Sequence, residues 1–176
     1  WQTGSVTQTN MNVNEVISNR AIVHAGGIMG SKQPVHPNDH VNMAQSTNDA
    51  FPTSMRVCAR ILIKDFLPVL KELETALADK GKEFDSILKS GRTHLQDAVP
   101  IRLGQEFTAY AAAVRKSREN IEASARLVEE LGIGGSAAGT GLNTHTEYRV
   151  KVVKYLGTWT AIPFRCADDM REAMQS

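Results

Sequence analysis

Apolar residues fall at helical spacing in four stretches of the chain, separated by polar runs rich in glycine. From Thr9 to about Ala25, Met11, Val13, Val16, Ile17 and Ile22 give a moderate helical pattern, and Gly26-Gly27 forms its stop. A much longer pattern follows Asn48, with Val57, Ile61, Leu62, Phe66, Val69, Leu70, Leu73 and Leu77 on one face. Pro68 should bend that helix or break one of its hydrogen bonds. Gly81 marks a weak point before a short piece around Phe84–Leu88. Leu103, Phe107, Tyr110, Val114, Ile121, Ala125, Val128 and Leu131 then step by three, four or seven. That second long helix, of roughly 29 residues, would span about 43 Å. Thr144-His145-Thr146-Glu147 reads as a capping box opening a shorter helix to about Leu156, and the tail makes a last short one. The fold class is all-α, a long-helix bundle.

The polar runs carry the chemistry. Val35–Thr53 packs imidazoles, amides, hydroxyls and carboxylates together and opens directly onto the long helix. The first N–H groups of a helix lack internal partners and its dipole favours negative charge there, so this junction suits an anion. Ser46, Thr47 or Asn48 can cap it, and Pro52 fits a first turn. A capped helix after a polar loop explains the same residues without any ligand. Thr93-His94 lies in a polar connector, Ser90–Asp97, beside Arg92. Its histidine is either satisfied by helix-end carbonyls or available for acid–base work. Asn10, Asn12 and Asn14 can be simple polar spacing. His36 and His40 have the i, i+4 spacing of zinc helices, but Pro37 discourages a helix and no Glu follows His36, so no metal is expected. Gly132–Gly141 lacks the Gly-Lys-Ser/Thr ending and preceding strand of a phosphate loop.

Composition alters this picture little. The chain has 176 residues, 41% hydrophobic and 22% charged, in the range of ordinary globular proteins. A net charge of +1 offers no electrostatic case for nucleic acid or an anionic membrane. Cys58 and Cys166 lie far apart and read as free thiols of a reducing compartment. The long seams call for more partners than the chain supplies, and self-association is the expected solution.

Several motifs in order make a resemblance specific. Trp1-Gln-Thr-Gly-Ser-Val-Thr-Gln-Thr-Asn-Met-Asn-Val-Asn-Glu15, Val35-His-Pro-Asn-Asp-His-Val-Asn42 with Gln45-Ser-Thr-Asn-Asp49, Gly91-Arg-Thr-His-Leu-Gln-Asp97 and Gly139-Thr-Gly-Leu-Asn-Thr144 resemble the signatures of class II fumarate hydratases in the fumarase/aspartase superfamily. The match runs along essentially the whole chain. It implies the middle part of a longer protein, with residues 1–45 ending an N-terminal domain and 46–176 forming part of a central helical bundle.

The resemblance also implies a function. It is the reversible, cofactor-free hydration of fumarate to L-malate in the tricarboxylic acid cycle, by a cytoplasmic or mitochondrial-matrix homotetramer with shared active sites. Ser5 and Thr7 would contact a substrate carboxylate from one loop, Ser46, Thr47 and Asn48 from a second, with Asn143 as a further donor. Thr93 and His94 would form the catalytic loop, His94 orienting substrate and its water. His36, Pro37, Asn38 and Asp39 resemble a secondary dicarboxylate site. Two departures stand out: Val6 occupies a position where the family pattern has Gly, and the Gly-Ser-Ser-x-Met-Pro-x-Lys-x-Asn loop that carries the base serine is not in these residues. The 176 residues alone are therefore expected to be inactive. The alternatives are an aspartate ammonia-lyase, toward which Ser46-Thr47-Asn48 leans, and a non-catalytic helical assembly piece.

Overall fold

The computed structural model describes residues 4–175, so Trp1, Gln2 and Thr3 of the first signature lie outside it. The elements in order are α1 (Thr7–His24), a short π-helical segment (Pro37–Val41), α2 (Thr47–Glu83), β1 (Leu88–Thr93), β2 (Gln96–Arg102), α3 (Leu103–Ala125), β3 (Glu130–Leu131), α4 (Tyr148–Thr160), β4 (Arg165–Cys166) and α5 (Met170–Ala173). Helices dominate, as the apolar spacing requires. The chain divides into two compact units, Trp1–Cys58 with Val128–Ser176, and Ala59–Leu127.

The first unit has its core in Leu131, Ile133, Val153, Ile162 and Phe164, with Ala50, Val57, Tyr148 and Leu156 packed against them. β3 and β4 pair in parallel, Glu130 opposite Arg165 and Leu131 opposite Cys166, and an Arg165–Glu130 ion pair of 2.8 Å flanks them. Leu131 is fully buried there. It is thus a strand residue of this core, and the predicted seam of α3 ends at Ala125, before Val128 and Leu131.

α1 turns its polar face inward. Asn14, Ser18 and Ile22 are buried, while Val13, Val16 and Ile17 are exposed. Asn14 and Asn10 both donate their side-chain amides to Asn42 Oδ1, at 3.0 and 3.3 Å, and Ser18 Oγ donates to the Val35 carbonyl at 2.7 Å. Positions 10, 14 and 18 are one helical turn apart, so this polar stripe docks the 35–42 segment. Asn10 and Asn14 are not idle spacing, and the apolar residues beside them are not core in this unit.

In the second unit, α3 crosses the end of α2 at two glycines. A Cβ on Gly104 would collide with the Gly81 carbonyl oxygen and come within 2.7 Å of Asp85 Cα. Gly81 is therefore a site of close backbone approach within an unbroken helix, not a weak point. α2 also runs through Pro68, which removes one hydrogen bond without ending it. Phe84 packs edge-on to Phe107 at 5.2 Å, and Arg118 of α3 pairs with Glu74 of α2 at 3.0 Å.

The connector between these helices is an antiparallel hairpin, β1 with β2, rather than a loop preceded by a helical piece. Its register shifts after Gly91, where a bulge accommodates the extra residue Ala98. Pairing of Thr93 with Gln96 leaves His94 and Leu95 as a two-residue turn, with φ of 49° and 62°. Two left-handed residues in succession match the turn that follows a hairpin's own twist.

Candidate functional site

The start of α2 is fixed by a reciprocal cap. Ser46 Oγ accepts the Asn48 N–H at 3.2 Å, and the Ser46 N–H donates to Asp49 Oδ1 at 2.9 Å. The other carboxylate oxygen of Asp49 accepts two N–H groups of the glycine loop, from Gly134 at 3.0 Å and Ser136 at 2.8 Å. Asn48 then donates its side-chain amide to the Ala137 carbonyl at 2.9 Å. The loop 132–141 is thus stitched to the helix start by a carboxylate that is 1% exposed. Gly134 and Gly139 supply its turns at φ of +91° and +80°, where a Cβ would also strike Arg149 or Arg171.

A cavity of about 390 Å³ opens at this junction, lined by Ser5, Val6, Thr47, Asn48, Phe51, Pro52, Ala137 and Ala138, by Arg171 of α5 and by Met174 and Gln175 just after it. Ser5, Thr47 and Asn48 are thereby brought together. Thr7 stands beside Ser5, their hydroxyl oxygens 3.4 Å apart. Ser46 does not line the cavity and acts from behind as the cap. Asn143 is not brought in: it is exposed two residues beyond the glycine loop, with φ of 66°. Pro52 sits in the second turn of α2 rather than the first, so the Asn48 carbonyl has no N–H four residues on to receive.

Burial pushes the Asp49 carboxyl above its ordinary range, and the N–H groups of Ser46, Ser136 and Gly134 oppose that. Desolvation first, and the Asp49 charge second, push the nearby Tyr148 phenol up to about 12. Arg171 holds Asp169 down at about 2 through side-chain and backbone hydrogen bonds, its guanidinium gripping both carboxylate oxygens at 3.1 and 2.9 Å. Neither Asp49 nor Arg171 was expected from the sequence. The Ser46-to-Asp49 spacing of a cap was the available signal for the first, and nothing in the sequence pointed to the second.

His36 caps the π-helical segment, its Nδ1 accepting the N–H groups of Asn38 at 3.3 Å and Asp39 at 3.1 Å. Pro37 does not prevent a helix here, because it occupies the first position, where its missing N–H is not needed. His40 Nδ1 accepts the His36 N–H at 2.8 Å, so this nitrogen is already occupied. Among the described residues, no group of three His, Cys, Asp or Glu side chains could hold a metal ion. The predicted box at Thr144–Glu147 does not form: Thr144 Oγ1 donates to the Gly141 carbonyl at 2.7 Å, and α4 starts after Glu147 without a side-chain cap.

Thr93 and His94 belong to the second unit. Both are exposed at the hairpin tip, and Leu95 next to them is 94% exposed. Arg92 and Asp97 pair across the strands below the tip at 3.0 Å.

Comparison with known proteins agrees with this architecture. A family model described as Lyase matches residues 1–176. The chain is 55% identical over 175 residues to the class II fumarate hydratase of Rhizobium meliloti (strain 1021), covering 99% of this chain and 38% of the relative. It is 54% identical to the mitochondrial fumarate hydratase of Homo sapiens, covering 99% and 34%. Among solved structures, the class II fumarase of Schistosoma mansoni superposes with a TM-score of 0.89 at 39% identity, over 98% of this chain and 40% of that one. A fumarate lyase:delta crystallin of Brucella melitensis bound to cobalt gives 0.89 at 43% identity, over 97% and 37%. The chain spans a little over a third of the length of the curated relatives it matches. With the family match running from end to end, this chain belongs to the lyase family, in the fumarase/aspartase superfamily.

Proposed function

We propose that the protein to which this chain belongs catalyses the reversible hydration of fumarate to L-malate, and that the cavity at the α2 N-terminus binds one carboxylate of that substrate. The observation that carries this reading is that Ser5, Thr47 and Asn48 together line one cavity at a helix start. Removing a proton beside a carboxylate builds a dianionic aci-carboxylate, and donors already aimed at its oxygens lower the barrier most. The fumarate hydratase names of the relatives at 54–55% identity support the substrate.

In this reading Thr7 assists Ser5, and Ser46 holds Asn48 in place. Thr93 and His94 act from the hairpin tip, His94 orienting substrate and its water. Asn143 adds a donor from just beyond the glycine loop, and His36–Asp39 form a secondary dicarboxylate site. Residues 1–45 and 46–176 belong to successive domains of the whole protein. The assembly is a homotetramer working without a cofactor, in the cytoplasm or, in a eukaryote, the mitochondrial matrix. Exposed apolar residues on α1 and α2, such as Val16 at 61% and Leu62 at 62%, support burial against further chain.

The test is to incubate the full-length protein with L-malate and with L-aspartate and follow the absorbance of fumarate. Fumarate from malate alone upholds the reading. Fumarate from aspartate alone replaces it with ammonia elimination, and none from either leaves a non-catalytic role.

A further inference from the structure

A side-chain amide is useful to a substrate only when its N–H face is held toward the ligand, and the surroundings of Asn48 set that face. One N–H of its amide goes to the Ala137 carbonyl at 2.9 Å. This fixes which end of the planar group is nitrogen and leaves the second N–H to point elsewhere. Both Asn48 and Ala137 line the cavity. The position of the Ala137 carbonyl depends in turn on the glycine loop, whose own bonds close it on itself, the Gly139 and Gly141 N–H groups both donating to the Gly135 carbonyl at 2.9 and 3.0 Å, without joining it to the start of α2. Five of its ten residues are glycine, and Gly134, Ser136 and Gly139 all adopt positive φ. Those internal bonds shape the loop, and a separate tie sets it against the helix start. The tie is the Asp49 carboxylate, with Gly134 N–H at 3.0 Å and Ser136 N–H at 2.8 Å on one oxygen and Ser46 N–H at 2.9 Å on the other.

Asp49 is 1% exposed and is not among the residues lining the cavity, and a carboxylate so buried is costly. It is retained here with three charge-assisted hydrogen bonds, each stronger than a neutral one. Two of those bonds immobilise the residues on either side of Gly135, immediately before Ala137. The third holds the cap residue from which Asn48 begins.

We propose that Asp49 is a positioning residue: its carboxylate fastens the glycine loop to the start of α2 and, through the Ala137 carbonyl, orients the Asn48 amide toward the substrate carboxylate. This rests on the reading of the cavity as a dicarboxylate site. Asp49 itself contacts no substrate and moves no proton.

A double-mutant cycle in the full-length protein tests it. Asn48→Ala alone should raise KM for L-malate about tenfold, the loss of one hydrogen bond to a charged group. Asp49→Asn keeps the shape but presents an NH2 group to N–H donors. It should raise KM by a similar factor while kcat changes less. In the Asn48→Ala background, Asp49→Asn should add less than about twofold, because the group it orients is gone. Sedimentation of each variant checks that the assembly persists. Should Asp49→Asn not assemble, Asp49→Glu, which keeps the charge and shifts the oxygens, carries the same cycle. Effects that multiply in the double variant, or an Asp49→Asn enzyme with wild-type KM, overturn the inference while the functional reading stands. A wild-type protein that forms no fumarate from malate overturns both.

Discussion

The carbonyl oxygen of Gly81 on α2 lies where a Cβ on Gly104 of α3 would have to be. The contact is backbone against backbone, so no rotamer change relieves it. Gly104→Ala should therefore destabilise the 59–127 unit by about 2 kcal/mol, the usual range for overpacking. Gly81→Ala meets Thr108 Oγ1 at 2.6 Å first, a side-chain atom with some freedom, and should cost less. Denaturant unfolding of the two variants ranks them, and the reverse order would show that the helices do not approach here as described.

Val6 sits at φ 55° directly before α1, a left-handed position that β-branched residues avoid. This is also the position where the family pattern has Gly and this chain does not. Val6→Gly removes about 1 kcal/mol or more of strain and adds a comparable cost in unfolded-chain entropy, about 0.5–1 kcal/mol. The substitution should be neutral to mildly stabilising, unlike the loss expected at an ordinary helix start. A melting temperature lowered by several degrees would show that Val6 is not held left-handed.

Periodicity reveals elements with an apolar face, whether or not this chain covers it. The spacing of α2 announced it, although of that face Val57 packs on the core of the first unit while Ile61, Leu62, Phe66, Val69 and Leu73 stay exposed. The β1–β2 hairpin buries almost nothing: of its strand residues only Gly91 is buried, so no alternation of apolar and polar residues exists to be read. Its turn is His-Leu where Asn-Gly would have been a signal. α3 was read too long because Val128 and Leu131 continue its spacing by coincidence, while Leu131 serves the other unit's core. The polar loops marked where donor residues gather, and Ser5, Thr47 and Asn48 do line one cavity. What they could not announce was the tie between Asp49 and Gly134, eighty-five residues apart in sequence, because no local pattern records it.

At the hairpin tip, His94 and Leu95 hold two consecutive left-handed conformations without a glycine between them. Strain of that kind costs of order 1–3 kcal/mol per residue and persists only where the surrounding structure, here the hairpin closure, imposes it. Replacing the pair with Asn-Gly should stabilise the hairpin by about 1 kcal/mol. Under the proposed function it should also lower kcat sharply, since the imidazole is lost. Leu95→Gly alone should give the stability without the loss of turnover. Thermal unfolding and malate turnover measured on both variants check the pair of outcomes. A stabilised tip that retains full activity after His94→Asn would remove His94 from the chemistry.

Asp169 caps α5 through Arg171 N–H at 2.9 Å and is gripped by the Arg171 guanidinium. These bonds favour the anion and hold its pKa near 2, below the ordinary 3.8. A carboxyl depressed in the folded state binds fewer protons than in the unfolded chain between those two values. Its stabilising effect is therefore complete above about pH 4 and is lost as pH falls from there toward 2. The pair is exposed, so the effect on global stability is small and salt-sensitive. Carboxyl chemical shifts followed by NMR should show Asp169 titrating near pH 2. In Arg171→Met the midpoint should move up toward 3.8, with the backbone cap retaining part of the depression. An unshifted Asp169 in the unaltered protein would mean that the guanidinium is not held at this carboxylate, and Arg171 would then be free to face the cavity it lines.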